Sequence, residues 1–149
     1  MIEPKGIFEE IYVLDPDGVP RFKIFVDGRW TFGRSDGSSF DVLSPIDRRT
    51  VARATKGKKE DAESEVLAAH RARSKIRHMA ASRRIGLFET ACDLMRSHMD
   101  DFLRTIVLES GKPIRNARGE FEASLKRMHY AGEEARKIYG EYIPGDWVE

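Results

Sequence analysis

From about Lys59 to Ile138 the apolar residues of this chain recur at intervals of three and four, and no other feature limits its fold as strongly. That period puts them on one face of a helix, so the last ninety or so residues must be read as helices packed through their apolar faces. Ala62, Val66, Ala69, Arg73 and Ile76 form a first, mixed stripe. Ile85, Phe88, Cys92 and Met95 form the inner face of a second helix, with Ser82 before it. A third helix runs from His98 to Ser110 and packs Phe102, Leu103, Ile106 and Val107. Gly111 stands where a helix C-terminus favours a left-handed residue, and Pro113 suits the opening of the next helix. The last stripe is the clearest: Phe121, Leu125, Met128, Ala135 and Ile138, ended by Gly140 and Pro144.

The N-terminal third reads differently. Residues 1–20 are expected to form an arm with a turn at Asp15-Pro16-Asp17-Gly18. Phe22, Ile24 and Val26 then alternate as in a strand, and Asp27-Gly28 is a two-residue hairpin signal that returns through Arg29, Trp30 and Thr31. Gly33 to Ser39 reads as a loop. Two short strands follow, Phe40–Leu43, closed by Ser44-Pro45, and Thr50–Thr55.

The chemistry legible in the residues is sparse. A length of 149 residues with 40% hydrophobic and 34% charged residues fits one globular domain with a real core. No apolar run approaches the ~20 residues of a membrane span, and Met1-Ile2-Glu3-Pro4-Lys5 lacks a secretory pattern. The expected setting is therefore cytoplasmic, with no membrane partner. Cys92 is the one cysteine, which excludes an intrachain disulfide and a cysteine metal cluster, and its helical position reads as core. Residues 48–84 hold twelve Lys/Arg against four Asp/Glu. No aromatic is interleaved there, so a solvated face is expected and no nucleic-acid partner. The four histidines form no HxxxH, and no GxGxxG, GxxxxGK[ST] or GxSxG occurs. On the residues alone, the reading is a helical domain with a small β-hairpin.

The order of several short motifs adds more. Asp27-Gly28-Arg29-Trp30, the Ser44-Pro45 turn, Arg84 through Leu94, Glu109-Ser110-Gly111-Lys112-Pro113, Tyr130-Ala131-Gly132 and Gly140-Glu141-Tyr142-Ile143-Pro144-Gly145-Asp146-Trp147 together resemble the N-terminal part of NAD(P)-dependent aldehyde dehydrogenases. The last of these looks most like archaeal non-phosphorylating glyceraldehyde-3-phosphate dehydrogenases. The resemblance implies an α/β fold by family, of which this chain, mostly α-helical with a small β-hairpin, is the first part of the coenzyme domain. Residues 1–20 would be an arm and 21–149 a segment ending before the catalytic domain. The implied parent enzyme is an oligomer that oxidises a small aldehyde, with glyceraldehyde 3-phosphate a candidate, through a cysteine thiolate, a general-base glutamate and NAD or NADP.

No position here matches that nucleophile, base or cofactor loop, so the chain alone is expected to be inactive and to bind no cofactor. No catalytic and no cofactor-binding residue is assigned. Two peripheral roles do carry over from the resemblance: Val42 and Glu109 as part of a monovalent-cation site, and Glu122 or Lys126 on the substrate tunnel. The expected partner is the C-terminal remainder of the enzyme or a second copy of this chain. The alternative from a different class is a stand-alone helical interaction module.

Overall fold

A computed structural model describes residues 1–34 and 37–145. The chain opens with a 3-10 turn, Gly6–Ile11, and the strand β1 (Tyr12–Leu14). Next come β2 (Pro20–Phe22), β3 (Ile24–Val26), β4 (Arg29–Thr31), β5 (Ser39–Leu43) and β6 (Thr50–Thr55). Four helices follow: α1 (Lys59–Arg77), α2 (Ala81–Ser97), α3 (Met99–Ser110) and α4 (Ile114–Glu134), the last running into a 3-10 turn at Ala135–Lys137. The strands make a four-stranded sheet in the order β1-β2-β6-β5 and a separate β3-β4 hairpin. Within the larger sheet only β2 and β6 run parallel.

The hairpin turn is the one its two residues demand. Asp27 and Gly28 both take positive φ, 49° and 77°, and Val26 pairs with Arg29 across a two-residue loop. The alternation at Phe22, Ile24 and Val26 is split between two sheets. The Lys23 N–H donates to the Ile11 carbonyl at 2.8 Å, and its Nζ to the Glu10 carbonyl at 2.6 Å. Those bonds bend the chain between Phe22, which stays in the larger sheet, and Ile24, which enters the hairpin.

Residues 1–20 lie on the body of the fold. Ile2 is buried and donates its N–H to the Val51 carbonyl at 2.9 Å. The Asp15–Gly18 turn joins β1 to β2, with Val19 N–H closing onto Asp17 Oδ1. Neither β1 nor β2 carries a two-residue pattern long enough to read. Of the loop at residues 33–39, Ser39 opens β5, and residues 35 and 36 lie outside the described residues.

Two apolar cores result. One gathers Cys92 of α2, Leu103 of α3 and Ala117, Phe121 and Leu125 of α4, with Met95, Phe102 and Ile106 around them. The other gathers Ile2, Val51 and Ala52, with Phe22, Val42 and Leu108. α3 supplies side chains to both, so it joins the sheet half to the helical half.

Three helix details depart from the sequence reading. α2 starts at Ala81 with Ala80 in the capping position, so Ser82 lies inside it. Pro113 (φ −58°, ψ 140°) precedes the first turn of α4, keeping its ring clear of the helix. Ile138 stands exposed beyond the end of α4, where the chain has already left the helix. On α1, Val66, Leu67 and Ile76 are exposed as well, because this helix meets the rest of the fold through the hairpin.

Candidate functional site

The sequence motifs meet one another in space. Gly111 ends α3 in the left-handed conformation (φ 68°), and a Cβ added there would lie 2.9 Å from Pro45 Cγ. The Gly-Lys-Pro turn is therefore seated against the Ser44-Pro45 turn. Ser44 is buried and shapes that turn by accepting the Ile46 N–H on its Oγ and the Arg48 N–H on its carbonyl. Lys112 pairs with Glu120, in the second turn of α4. Gly132 is buried where a Cβ would lie 3.3 Å from Phe88 Cβ, so α2 and α4 are in close contact at that glycine.

Between the N-terminal segment, the sheet and α3 lies an open cavity of about 330 Å³. Ile2, Pro4, Phe8 and Ile11 form one side of it; Phe22, Val42, Ala52 and Ala54 come from the sheet; Phe102 and Ile106 come from α3. Asp101, Thr105 and Glu109 line its α3 edge. The structure thus brings Val42 and Glu109, the two positions carried over for a cation, to one cavity. Glu109 is exposed, and no group of three or more His, Cys, Asp or Glu among the described residues is arranged to hold a metal ion.

A second recess, of about 300 Å³, opens between α2 and α4. Glu122 and Lys126 both line it, with Arg96, Leu125, His129 and Tyr130. His129 and Tyr130 follow Lys126 by three and four residues, so helical spacing alone would have found them. Arg96 comes from another helix and carried no local signal. It also pairs with Asp93 at 2.7 Å.

The strongest electrostatic cluster lies elsewhere. The Arg53 guanidinium reaches Asp17 at 2.6 Å, Asp15 at 3.0 Å and Asp41 at 3.1 Å, and Asp15 also pairs with Arg21 at 3.1 Å. Hydrogen bonds from Arg53 hold the Asp17 carboxyl at about 2. Asp17, Asp15 and Asp41 in turn push the Arg53 pKa upward. These groups clasp the β1–β2 turn to β5 and β6, a structural task that leaves none of them poised for proton transfer.

A dinucleotide needs a strand–turn–helix unit whose helix N-terminus offers free N–H groups to a pyrophosphate. The nearest thing here is β6, Lys56-Gly57-Lys58 and α1. There Asp61 already accepts the Lys58 N–H on Oδ2 and the Arg34 N–H on Oδ1, both at 2.9 Å. The Lys58 N–H, then that of Arg34, lowers the Asp61 pKa, so a carboxylate fills the place an anion would take. Those residues do not fit NAD or NADP. Cys92 is buried, its Sγ 3.8 Å from the Leu125 carbonyl. His78 bonds the Ser74 carbonyl through Nδ1, and His98 lies edge-on to Phe8 with Asp101 at 3.7 Å.

A sequence model described as the aldehyde dehydrogenase family matches residues 30–149. The 3-sulfolactaldehyde dehydrogenase of Pseudomonas putida is 34% identical over 120 residues, which are 80% of this chain and 24% of that protein. The NADP(+) succinate-semialdehyde dehydrogenase of Escherichia coli strain K12 is 29% identical over 132 residues, 89% of this chain and 27% of that one. The fold matches a crystal structure of an E. coli NADP-dependent enzyme with a TM-score of 0.81 at 28% identity, covering 91% of this chain and 28% of the other. This chain therefore spans only about a quarter of the length of the relatives it matches.

Proposed function

The chain belongs to the aldehyde dehydrogenase family, and from that premise we propose that it forms the N-terminal segment of an NAD(P)-dependent aldehyde dehydrogenase, residues 21–149 being the first part of its coenzyme domain. The observation that carries this reading is the family match over residues 30–149 in a chain a quarter as long as its relatives. The parent reaction is oxidation of a small aldehyde to the acid with NAD or NADP. In this reading the segment alone catalyses nothing, because none of its described residues is placed as nucleophile, base or dinucleotide cradle.

The substrate class we favour is a short aldehyde bearing an anionic group. The names of the two relatives, for 3-sulfolactaldehyde and succinate semialdehyde, support the class. Glyceraldehyde 3-phosphate is the member favoured by the ending Gly140 to Trp147, of which Asp146 and Trp147 lie outside the described residues. Lys126, with Arg96 beside it, would draw such an anion toward the recess that Glu122 also lines. Val42 and Glu109 would hold a monovalent cation away from the chemistry.

The proposed partner is the C-terminal remainder of the enzyme, or failing that a second copy, in the cytoplasm. Exposed Val66 and Leu67 on α1, and exposed Ile138, Tyr139, Tyr142 and Ile143 beyond α4, are the faces such a partner would cover. The second reading, a stand-alone helical module, draws on the burial of Phe121 and Leu125 within the chain's own helices. Reading the DNA downstream separates the two: a family-like cysteine and glutamate in a continuing or adjacent frame supports the first, and unrelated genes support the second. Aldehyde-dependent NAD(P)H formation by the pure chain, lost in Cys92→Ser, would refute the assignment of inactivity.

A further inference from the structure

Between Glu65 and Glu89 the chain holds no acidic residue, while Arg71, Arg73, Lys75 and Arg77 crowd the second half of α1. Cations in a last turn suit the carbonyl end of a helix, which accounts for Lys75 and Arg77 alone. Arg73, Lys75 and Arg77 make no ion pair among the described residues, and every residue from Arg71 to His78 is exposed. Ser74 stands in the middle of this block. Other helical hydroxyls donate to the carbonyl four residues back, as those of Ser64, Thr90, Thr105 and Ser124 do at 2.7–2.9 Å. The Ser74 Oγ makes no such bond; His78 bonds the Ser74 carbonyl instead, through Nδ1 at 2.8 Å and its N–H at 3.2 Å.

This part of α1 is also loosely held. Arg71 meets the Asp27 carboxylate at 3.0 Å, and beyond it no hydrogen bond or ion pair fastens α1 to another element among the described residues. The turns past Arg71 are too few to hold as a helix by themselves, so Ser74 reaches an extended conformation at little cost. We infer that Ser74 is a phosphorylation site for a serine kinase that reads an arginine three residues ahead of its target, here Arg71, and that the phosphate loosens α1 from the hairpin. In the transfer, Ser74 Oγ bonds to the γ-phosphorus of a nucleoside triphosphate as the bond from that phosphorus to the bridging oxygen breaks. The hydroxyl proton passes to a carboxylate of the kinase, and the nucleoside diphosphate leaves. The product carries about −1.5 to −2 charges within one turn of Arg71. It competes with Asp27 for that guanidinium, and it opposes the negative end of the helix dipole. The inference does not depend on which substrate the parent enzyme oxidises.

The test uses the 149-residue chain, magnesium ATP and the catalytic subunit of cyclic-AMP-dependent protein kinase, with the modified residue located by mass spectrometry. Phosphate should enter at Ser74, at a rate within about tenfold of a free peptide spanning residues 68–79, since the native turns open readily. Asp27→Asn unties the helix and keeps Arg71; it should speed the reaction about two- to fivefold, the range of an exposed ion pair. Arg71→Met, equally untied but without the arginine, should be about tenfold slower than Asp27→Asn. In the phosphorylated chain, amide exchange over residues 72–78 should quicken about two- to fivefold while that of α4 stays the same. A native chain modified more slowly than that limit, phosphate lodged at another hydroxyl, equal rates for the two variants, or exchange unchanged by the phosphate would each overturn the inference.

Discussion

Replacing Gly111 by alanine tests the junction between the two halves of the fold. Two costs add at this position. An L-residue in the left-handed region loses about 1–2 kcal/mol relative to glycine, and Gly111 sits at φ 68°. The new Cβ would also come within 2.9 Å of Pro45 Cγ, a ring carbon with no rotamer to escape into. Overpacking of that kind costs about 1–3 kcal/mol. Together, Gly111→Ala should destabilise the chain by about 2–5 kcal/mol, a large share of the ~5–15 kcal/mol that holds a domain folded. Urea unfolding followed by circular dichroism measures this, with unchanged m-values as the check that only stability moved. The two costs separate in a Pro45→Ala background, where only the conformational part, about 1–2 kcal/mol, should remain. Equal losses in both backgrounds, to within ~0.3 kcal/mol, would show that the contact with Pro45 is immaterial. A loss below ~0.5 kcal/mol would refute the conformational argument too.

Gly33→Ala should destabilise as well, since its Cβ would fall 2.7 Å from Asp61 Oδ2 and 2.8 Å from Ile24 Cδ1 at φ 65°; thermal unfolding no lower than the parent's would contradict this. Asp17 is held at about 2 against an ordinary 3.8 by its hydrogen bonds from Arg53. A depressed carboxylate stabilises above its unfolded pKa, so its contribution should be complete above pH 3.8 and vanish as pH falls to about 2. Asp17→Asn should flatten that part of the acid-unfolding curve, and an identical curve would disprove the coupling. The Cys92 thiol should react with a disulfide reagent only as fast as the helices open, and at once in denaturant; rapid reaction of the native chain would place it outside the core.

How much of this was legible in the sequence depended on the range of the forces involved. The Asp27-Gly28 turn, the left-handed Gly111 and the stripes of α2, α3 and α4 are set by neighbours within one turn of chain, and all were read from the residues. The break at Lys23 was not, because it is made by Ile11 and Glu10, twelve and thirteen positions away. β1 and β2 are three residues each and owe their existence to β6, thirty residues on. The site fared similarly. Helical spacing grouped Glu122 with Lys126, yet nothing local announced Arg96, the clasp of Arg53 on three aspartates, or the cavity that unites Val42 with Glu109.

One consequence follows from how α1 is fastened. Its first turn is tied by Asp61 to Arg34 and Lys58, its second by Glu65 to the Asp27 N–H, and its middle by Arg71 to the Asp27 carboxylate. Beyond Arg71, every residue through Arg77 is exposed. Helices shorter than ~12–15 residues are marginal in water without packing, so the distal turns draw their order from the tied end. Amide hydrogen exchange along this helix should therefore fall off as a gradient, from sites that open only with the hairpin to sites that fray by themselves. By geometry α1 is a single helix; by the ties along it, it should open as two, its last six residues before the rest.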